Sequence, residues 1–131
     1  MLLSIVTPQK KLIVDHEVEQ VVLPGHKGQL TILTGHAPLI TTLGIGVLKF
    51  KTKGNSEFQK YAISWGYCEI AGNTIKVLAE TAEKSEEIDK ARAKKSLENS
   101  EKLLGESKEL SLEETDKHIN KIKKAQVRLE I

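Results

Sequence analysis

Residues 67–93 read YCEIAGNTIKVLAETAEKSEEIDKARA, and the change of character inside this stretch decides the fold. Tyr67–Ala71 and Thr74–Ala79 are β-rich runs, and Gly72-Asn73 between them fits a two-residue hairpin with Gly at its first central position. Beyond Thr81 the chain turns to Glu, Lys, Ser, Ala and Leu. Both Phe, both Tyr, the single Trp and all three Pro precede Ala82, and Gly105 is the one glycine after it. The front has the residues of a turn-rich β domain, the back those of helices.

Working outward towards the N-terminus, further β-rich runs are Leu2–Val6, Lys11–Val14, Val18–Leu23, Leu30–Leu33, Leu39–Leu43, Val47–Lys51 and Phe58–Ser64. Turn signals separate them: Pro8, Pro24-Gly25, Gly28, Gly35, Gly44 and Gly54-Asn55. Many short strands with frequent turns indicate a sandwich or barrel, not a βαβ fold. Gly44 and Gly46 bracket Ile45 and let the chain turn a corner between sheets.

Towards the C-terminus two helices are predicted. Ser85 caps the first, with Glu86 and Glu87 in the first turn where the helix dipole favours anions. Gly105 is its left-handed stop. Ser111 and Glu114 form a capping box for the second helix. Its inward seam is read as Leu112, Thr115, Ile119, Ile122, Gln126 and Leu129, with Lys117, Lys121, Lys124 and Arg128 on the opposite face. The expectation is α+β in two parts: an antiparallel β-sandwich over residues 1–82 and an antiparallel helical hairpin over 83–131. The hairpin offers about half a dozen sizeable apolar side chains against the ordering of some forty residues, so docked and undocked states lie close in free energy.

The chain has 131 residues and a formal net charge of +2, room for one compact domain and an extension. That near balance argues against a nucleic-acid binder, and Lys10, Lys11, Lys27, Lys49, Lys51, Lys53, Lys60 and Lys76 read as scattered rather than as a patch. The lone Cys68 forms no internal disulfide and fits a reducing compartment. No apolar run approaches the roughly 20 residues that span a bilayer, so membrane contact is expected only through a partner. The start carries no secretory pattern. His16, His26, His36 and His118 lack ligand-like spacing, and no catalytic constellation or metal site emerges. The glycines of 25–38 do not make a phosphate loop, because no Lys-Ser/Thr follows the last Gly and strands flank it.

The segment Pro24-Gly25-His26-Lys27-Gly28-Gln29-Leu30-Thr31-Ile32-Leu33-Thr34-Gly35-His36-Ala37-Pro38-Leu39-Ile40-Thr41 closely resembles the epsilon subunit family of F-type ATP synthases. So do Gly46-Val47-Leu48, Ser64–Ile70, Val77–Ala82 and Ile88–Ala93, in order along essentially the whole chain. Thr34 departs from a usual Pro and Trp65 from a usual Gly. The resemblance implies a non-catalytic subunit of the central stalk, coupling proton flow to ATP synthesis. Its partners would be the gamma subunit and the c-ring, and the alpha and beta subunits when the hairpin extends and suppresses ATP hydrolysis. No cofactor is required, and ATP is implied as a regulatory ligand in some bacterial relatives. The implied location is peripheral, on the cytoplasmic face of the bacterial inner membrane, or the stromal face of the thylakoid for a plastid-encoded chain. A rival from another class is a stand-alone β-sandwich binding module with an oligomerising helical tail.

The resemblance also implies sites. Lys27, Gly28, Gln29 and His36 would face the c-ring; taken alone, His36 is a turn histidine. Ile88, Asp89, Arg92 and Ala93 match the pattern Ile/Leu-Asp-x-x-Arg-Ala that binds ATP in some relatives, with Lys124 and Arg128 as basic helpers on the second helix. A carboxylate accepts from adenine or ribose donors, and guanidinium pairs with phosphate. Spacing alone reads Asp89 and Arg92 as an intrahelical ion pair. The stripe Lys117, Lys121, Lys124 and Arg128 would meet an acidic segment of the beta subunit; without the resemblance it is a solvated helix face.

Overall fold

Two long strands organise the front of the molecule. The computed structural model describes residues 1–106 and 111–131. Within it β2 (Lys11–Gly25) and β6 (Phe58–Ala71) each join two runs that the sequence separates. The joints are Asp15, at φ 47°, and Trp65, at φ 51°, the two non-glycine residues with left-handed backbone among those described. Ser4 Oγ accepts the Asp15 N–H at 3.0 Å and steadies the first bend. Trp65 is followed by Gly66 at φ 151°, where any Cβ would run into the Leu78 carbonyl oxygen. The left-handed joint explains why a glycine suits position 65, and why Trp there carries a steric cost of about 1–2 kcal/mol.

The bends let each long strand change partners along its length. β2 pairs first with β1 (Leu2–Val6), then with β5 (Gly46–Thr52) and β3 (Gly28–Leu33). β6 pairs with β5 up to Ile63 and with β4 (Leu39–Leu43) from Gly66 onward, while β7 (Thr74–Lys84) follows it from Tyr61 to Ala71. β1 and β7 run parallel, the one exception to the antiparallel expectation among the described strands, and close the β-sandwich on itself. Gly72 sits at φ 59° in the β6–β7 turn, as the hairpin reading requires. Leu3, Ile5, Leu23, Ile32, Leu48 and Phe50 are fully buried between the layers. Phe50 stacks on Tyr61, with ring centroids 6.2 Å apart. Each such side chain contributes roughly 1.5–3 kcal/mol of apolar burial.

The helical part departs from expectation in several places. β7 runs on to Lys84, and Ser85–Glu87 form a short 3-10 turn without a side-chain cap. Ile88 is extended (φ −79°, ψ 126°), so winding restarts one residue later. Asp89, not Ser85, caps α1 (Lys90–Glu106): its Oδ1 accepts the Arg92 N–H at 3.0 Å and its carbonyl the Ala93 N–H. Gly105 is the second-last residue of α1 and has no positive φ, and one glycine costs a helix only about 1 kcal/mol. Residues 107–110, where the sequence puts the hairpin loop, lie outside the described residues. For α2 (Leu112–Glu130) the expected cap is present, Ser111 Oγ accepting the Glu114 N–H at 3.1 Å.

The inward seam of α2 is rotated from its predicted line. Leu112 is 79% exposed, Ile119 is 36% exposed and Gln126 lies in solvent. Burial keeps Thr115, Ile122 and Leu129 of that line and adds His118 and Ala125, while Ala93, Leu97, Ser100 and Leu104 are the buried and half-buried positions of α1. Ala93 and Ala125 are buried because small side chains let two helices approach closely. The sandwich also pulls α2 round: Val127 and Arg128 rest near Ala62, Ser64 and Thr81, while Glu130 and Ile131 reach Val47, Lys49 and Lys60. The hairpin is therefore docked on β5 and β6 through α2, and α1 rides on α2.

Candidate functional site

Where β7 ends and both helices meet, a cavity of about 370 Å³ gathers Asp89, Arg92 and Ala93 from the start of α1 with Arg128 from α2. Glu83, Glu87 and Ser96 complete its wall. Four of the six residues expected for nucleotide thus share one space. Ile88 and Lys124 do not line it. Lys124 lines instead the crevice beside Ser64 and Thr81, whose hydroxyls are hydrogen-bonded to each other. Asp89 and Arg92 make no side-chain ion pair among the described residues, because capping commits the carboxylate to backbone N–H.

The residue that sequence reasoning missed is Glu83. Its Oε1 accepts from Arg128 Nε at 2.9 Å and from Nη2 at 2.5 Å, joining the hairpin to the last turn of β7. The partners are 45 residues apart, so no local spacing announces them. With side chains 30% and 37% exposed, the pair is worth about 1 kcal/mol after solvent screening. Lys90 Nζ adds a longer contact to the Leu129 carbonyl at 3.5 Å. Against these, His118 Nδ1 is buried with no hydrogen-bond partner among the described residues.

The basic stripe of α2 is split by docking. Lys117 and Lys121 are exposed, whereas Lys124 and Arg128 are half-buried towards the sandwich. The four residues expected at the c-ring lie at opposite ends of β3. Lys27 lies in the turn before it, Gly28 and Gln29 open the strand, and His36, with Nδ1 2.7 Å from the Ala37 carbonyl, follows the far end. Gln29, Thr31 and Leu33 are exposed between those ends, on a strand whose free edge bears no partner among the described residues. In one place the scattered-lysine expectation fails. Strand pairing sets Lys49 opposite Lys60, and Lys49 and Lys51 bring Nζ to 4.8 and 4.7 Å from the Phe58 ring. Cys68 is fully buried, and burial, with Glu69 adding, pushes its thiol pKa up to about 12. Tyr61 is also raised, by burial first and then by Glu87 and Glu86.

A closed β-sandwich carrying a docked helical hairpin defines a two-part subunit class, and comparison with known proteins identifies it. Residues 1–85 match the family described as ATP synthase, Delta/Epsilon chain, beta-sandwich domain. The ATP synthase epsilon chain of Bdellovibrio bacteriovorus is 49% identical over 104 residues, covering 79% of this chain and 74% of that one. That of Geobacter sulfurreducens is 37% identical over 130 residues, covering 98% and 90%. The chain belongs to the ATP synthase epsilon chain family. The same fold occurs in a chain of the Euglena gracilis mitochondrial ATP synthase (OSCP/F1/c-ring), with TM-score 0.85 and 19% identity over 99% of this chain and 79% of that one. A chain of the Tetrahymena thermophila central stalk/c-ring matches with TM-score 0.65 and 13% identity, over 99% and 94%.

Proposed function

We propose that this chain is a coupling and regulatory subunit of a rotary ATP synthase and performs no catalysis itself. Its sandwich rides on the gamma subunit and the c-ring, and its hairpin brakes ATP hydrolysis when it extends towards the alpha and beta subunits. One observation carries this reading: a stiff, fully packed sandwich holds a hairpin through a small α2 contact and the half-exposed Glu83–Arg128 pair. Because Lys124 and Arg128 face inward while docked, the complete stripe Lys117–Lys121–Lys124–Arg128 becomes available only after release. Released, it engages an acidic segment of the beta subunit with strong salt dependence.

The free edge of β3, from Lys27, Gly28 and Gln29 past Leu33 to His36, supports a ring-facing surface along its length. Exposed Ile40, Tyr67 and Leu78 on neighbouring strands support an apolar face for gamma. No helix among the described residues is long and apolar enough to cross a membrane. The proposed location is accordingly peripheral, held by partners at the cytoplasmic face of a bacterial inner membrane. The deciding experiment compares ATP hydrolysis by complexes carrying the full chain and the chain cut after Ala82. Faster hydrolysis after truncation is expected, and equal rates remove the brake.

The cavity of Asp89, Arg92, Ala93 and Arg128 favours a second activity, binding of ATP as a regulatory ligand that holds the hairpin docked. Calorimetry with ATP on wild type and Arg92→Ala tests it. Heat from wild type that Arg92→Ala abolishes is the expected result; none from wild type ends the reading.

A further inference from the structure

β3 (Gly28–Leu33) is an edge strand, bonded to β2 on one side and without a strand partner among the described residues on the other. Proteins usually blunt such edges with a charge, a proline or a bulge, because open N–H and C=O groups invite another strand. Gly28-Gln29-Leu30-Thr31-Ile32-Leu33 has no charge and no proline, and its pairing with β2 runs without a bulge. The phase of the ladder shows which backbone groups are open. Pro24, opposite Gln29, has no N–H, and its carbonyl accepts from Gly44 N–H at 3.0 Å, between β4 and β5, not from β3. Gln29 is therefore not hydrogen-bonded to β2, and by the alternation of an antiparallel ladder neither are Thr31 and Leu33. All three direct N–H and C=O to the free edge. Among the described residues only the Leu33 carbonyl is engaged there, by His36 N–H at 3.1 Å. The side chains of Gln29, Thr31 and Leu33 are exposed, while Leu30 and Ile32 turn inward.

We propose that the free chain pairs with a second copy of itself, β3 antiparallel to β3, about a two-fold axis at Thr31. The strand is self-complementary in that register. Thr31 meets Thr31 of the second copy through both backbone groups, a favourable cross-strand pair. Gln29 lies opposite Leu33 in each direction, and Leu30 opposite Ile32 extends the inward apolar row across the axis. The two Lys27 side chains stand at opposite ends of the contact and do not meet. Centring on Gln29 instead lays Thr31 against the Lys27 turn, and centring on Leu33 lays it against Gly35, where φ 85° leaves the strand. Six residues on each side make a small contact, so the dimer is weak. Two-fold pairing consumes both edges, so association stops at two copies. The same edge is assigned above to the ring, and a ring seated there excludes the second copy. Self-pairing thus belongs to the chain outside the assembled complex, and the inference stands on the strand alone, whichever way that assignment falls.

The test is sedimentation equilibrium of the full chain from about 10 µM to about 1 mM. The mass should rise from 14.5 kDa towards twice that value and no further. Thr31→Lys, at an exposed position, sets two ammonium groups directly opposite each other and should weaken association at least about tenfold, whereas Thr31→Val should not weaken it. Circular dichroism verifies that both variants are folded. Independently, Thr31→Cys should oxidise to a covalent dimer, because opposite residues of a hydrogen-bonded pair have Cα atoms about 5.5 Å apart, within disulfide reach. Lys76→Cys, exposed on β7, should not, and the native Cys68 is buried and stays silent. A wild type that remains monomeric across the range overturns the inference. So do association that persists in Thr31→Lys, species larger than a dimer, and Lys76→Cys cross-linking as readily as Thr31→Cys. Each of these outcomes leaves ring binding, which is read in the assembled complex, where it was.

Discussion

The sandwich and the hairpin are built on opposite terms. The sandwich buries whole leucines, isoleucines and Phe50 at no exposure, and strand pairing ties its first strand to its last. Among the described residues the hairpin fully buries little besides Ala93, Ser100 and Ala125, leaves His118 Nδ1 without a hydrogen-bond partner, and meets the sandwich through one side of α2. Large side chains in a closed sheet bury far more apolar surface than the small ones at the seam of a helical pair. The same chain thus holds a densely packed part and a sparsely packed one.

The contrast breaks or sharpens under mutation, and the largest effect belongs to the sandwich. Phe50→Ala should cost about 3–5 kcal/mol in urea denaturation, because the cavity it leaves is walled by sheet on both sides. A cost under about 1 kcal/mol would mean that the sandwich is far softer than its burial implies. Next comes pH. An unfolded Cys68 thiol ionises near its ordinary value of 9.0, while the folded one holds its proton to about 12. Between those values the folded state binds more protons, so stability falls as pH rises, by up to about 1.4 kcal/mol per unit. Cys68→Ala should flatten that slope, read from denaturation midpoints at successive pH values.

A smaller change is expected at the junction. Glu83→Gln removes half of the ion pair and should shift the docked population by about 1 kcal/mol, or roughly fivefold. Energy transfer between labels on β3 and α2 measures it, and the sandwich midpoint should not move. If docking survives both Glu83→Gln and high salt, apolar packing alone holds the hairpin. The smallest effect is at Trp65→Gly. Relief of the left-handed strain offsets part of the apolar burial that the indole supplies, so net stability should stay within about 1 kcal/mol of wild type. A larger drop would make the half-buried indole a structural member of the sandwich.

Much of this is legible in the residues. The hairpin at Gly72-Asn73 and the Ser111 cap rest on local rules, and each is present; strands do give way to helices, but β7 runs on to Lys84, past the change in composition at Thr81. The breaks in the β-rich runs at 15–17 and 65–66 are real departures from regular backbone, although they are bends inside strands and not ends. Ser85 has no capping role because β7 extends to Lys84, and Gly105 is no stop because α1 carries through it. Local signals there are sound but outvoted. For the site, the cluster Asp89, Arg92, Ala93 is recognisable from its pattern. Glu83 is not, and docking of α2 turns Lys124 away from the cavity in a manner that helical spacing alone does not reveal.

What the sequence by itself determined is therefore the kind of each segment: which stretches are strands, which are helices, and that the second part is the weaker. Backbone propensity, turn chemistry and apolar content act within a few residues and can be read in order. Only the tertiary structure decided the rotation of α2, the pairing of Glu83 with Arg128, and the meeting of Lys49 with Lys60. Those depend on how surfaces distant in the chain fit together, and a helix turns to satisfy two neighbours at once.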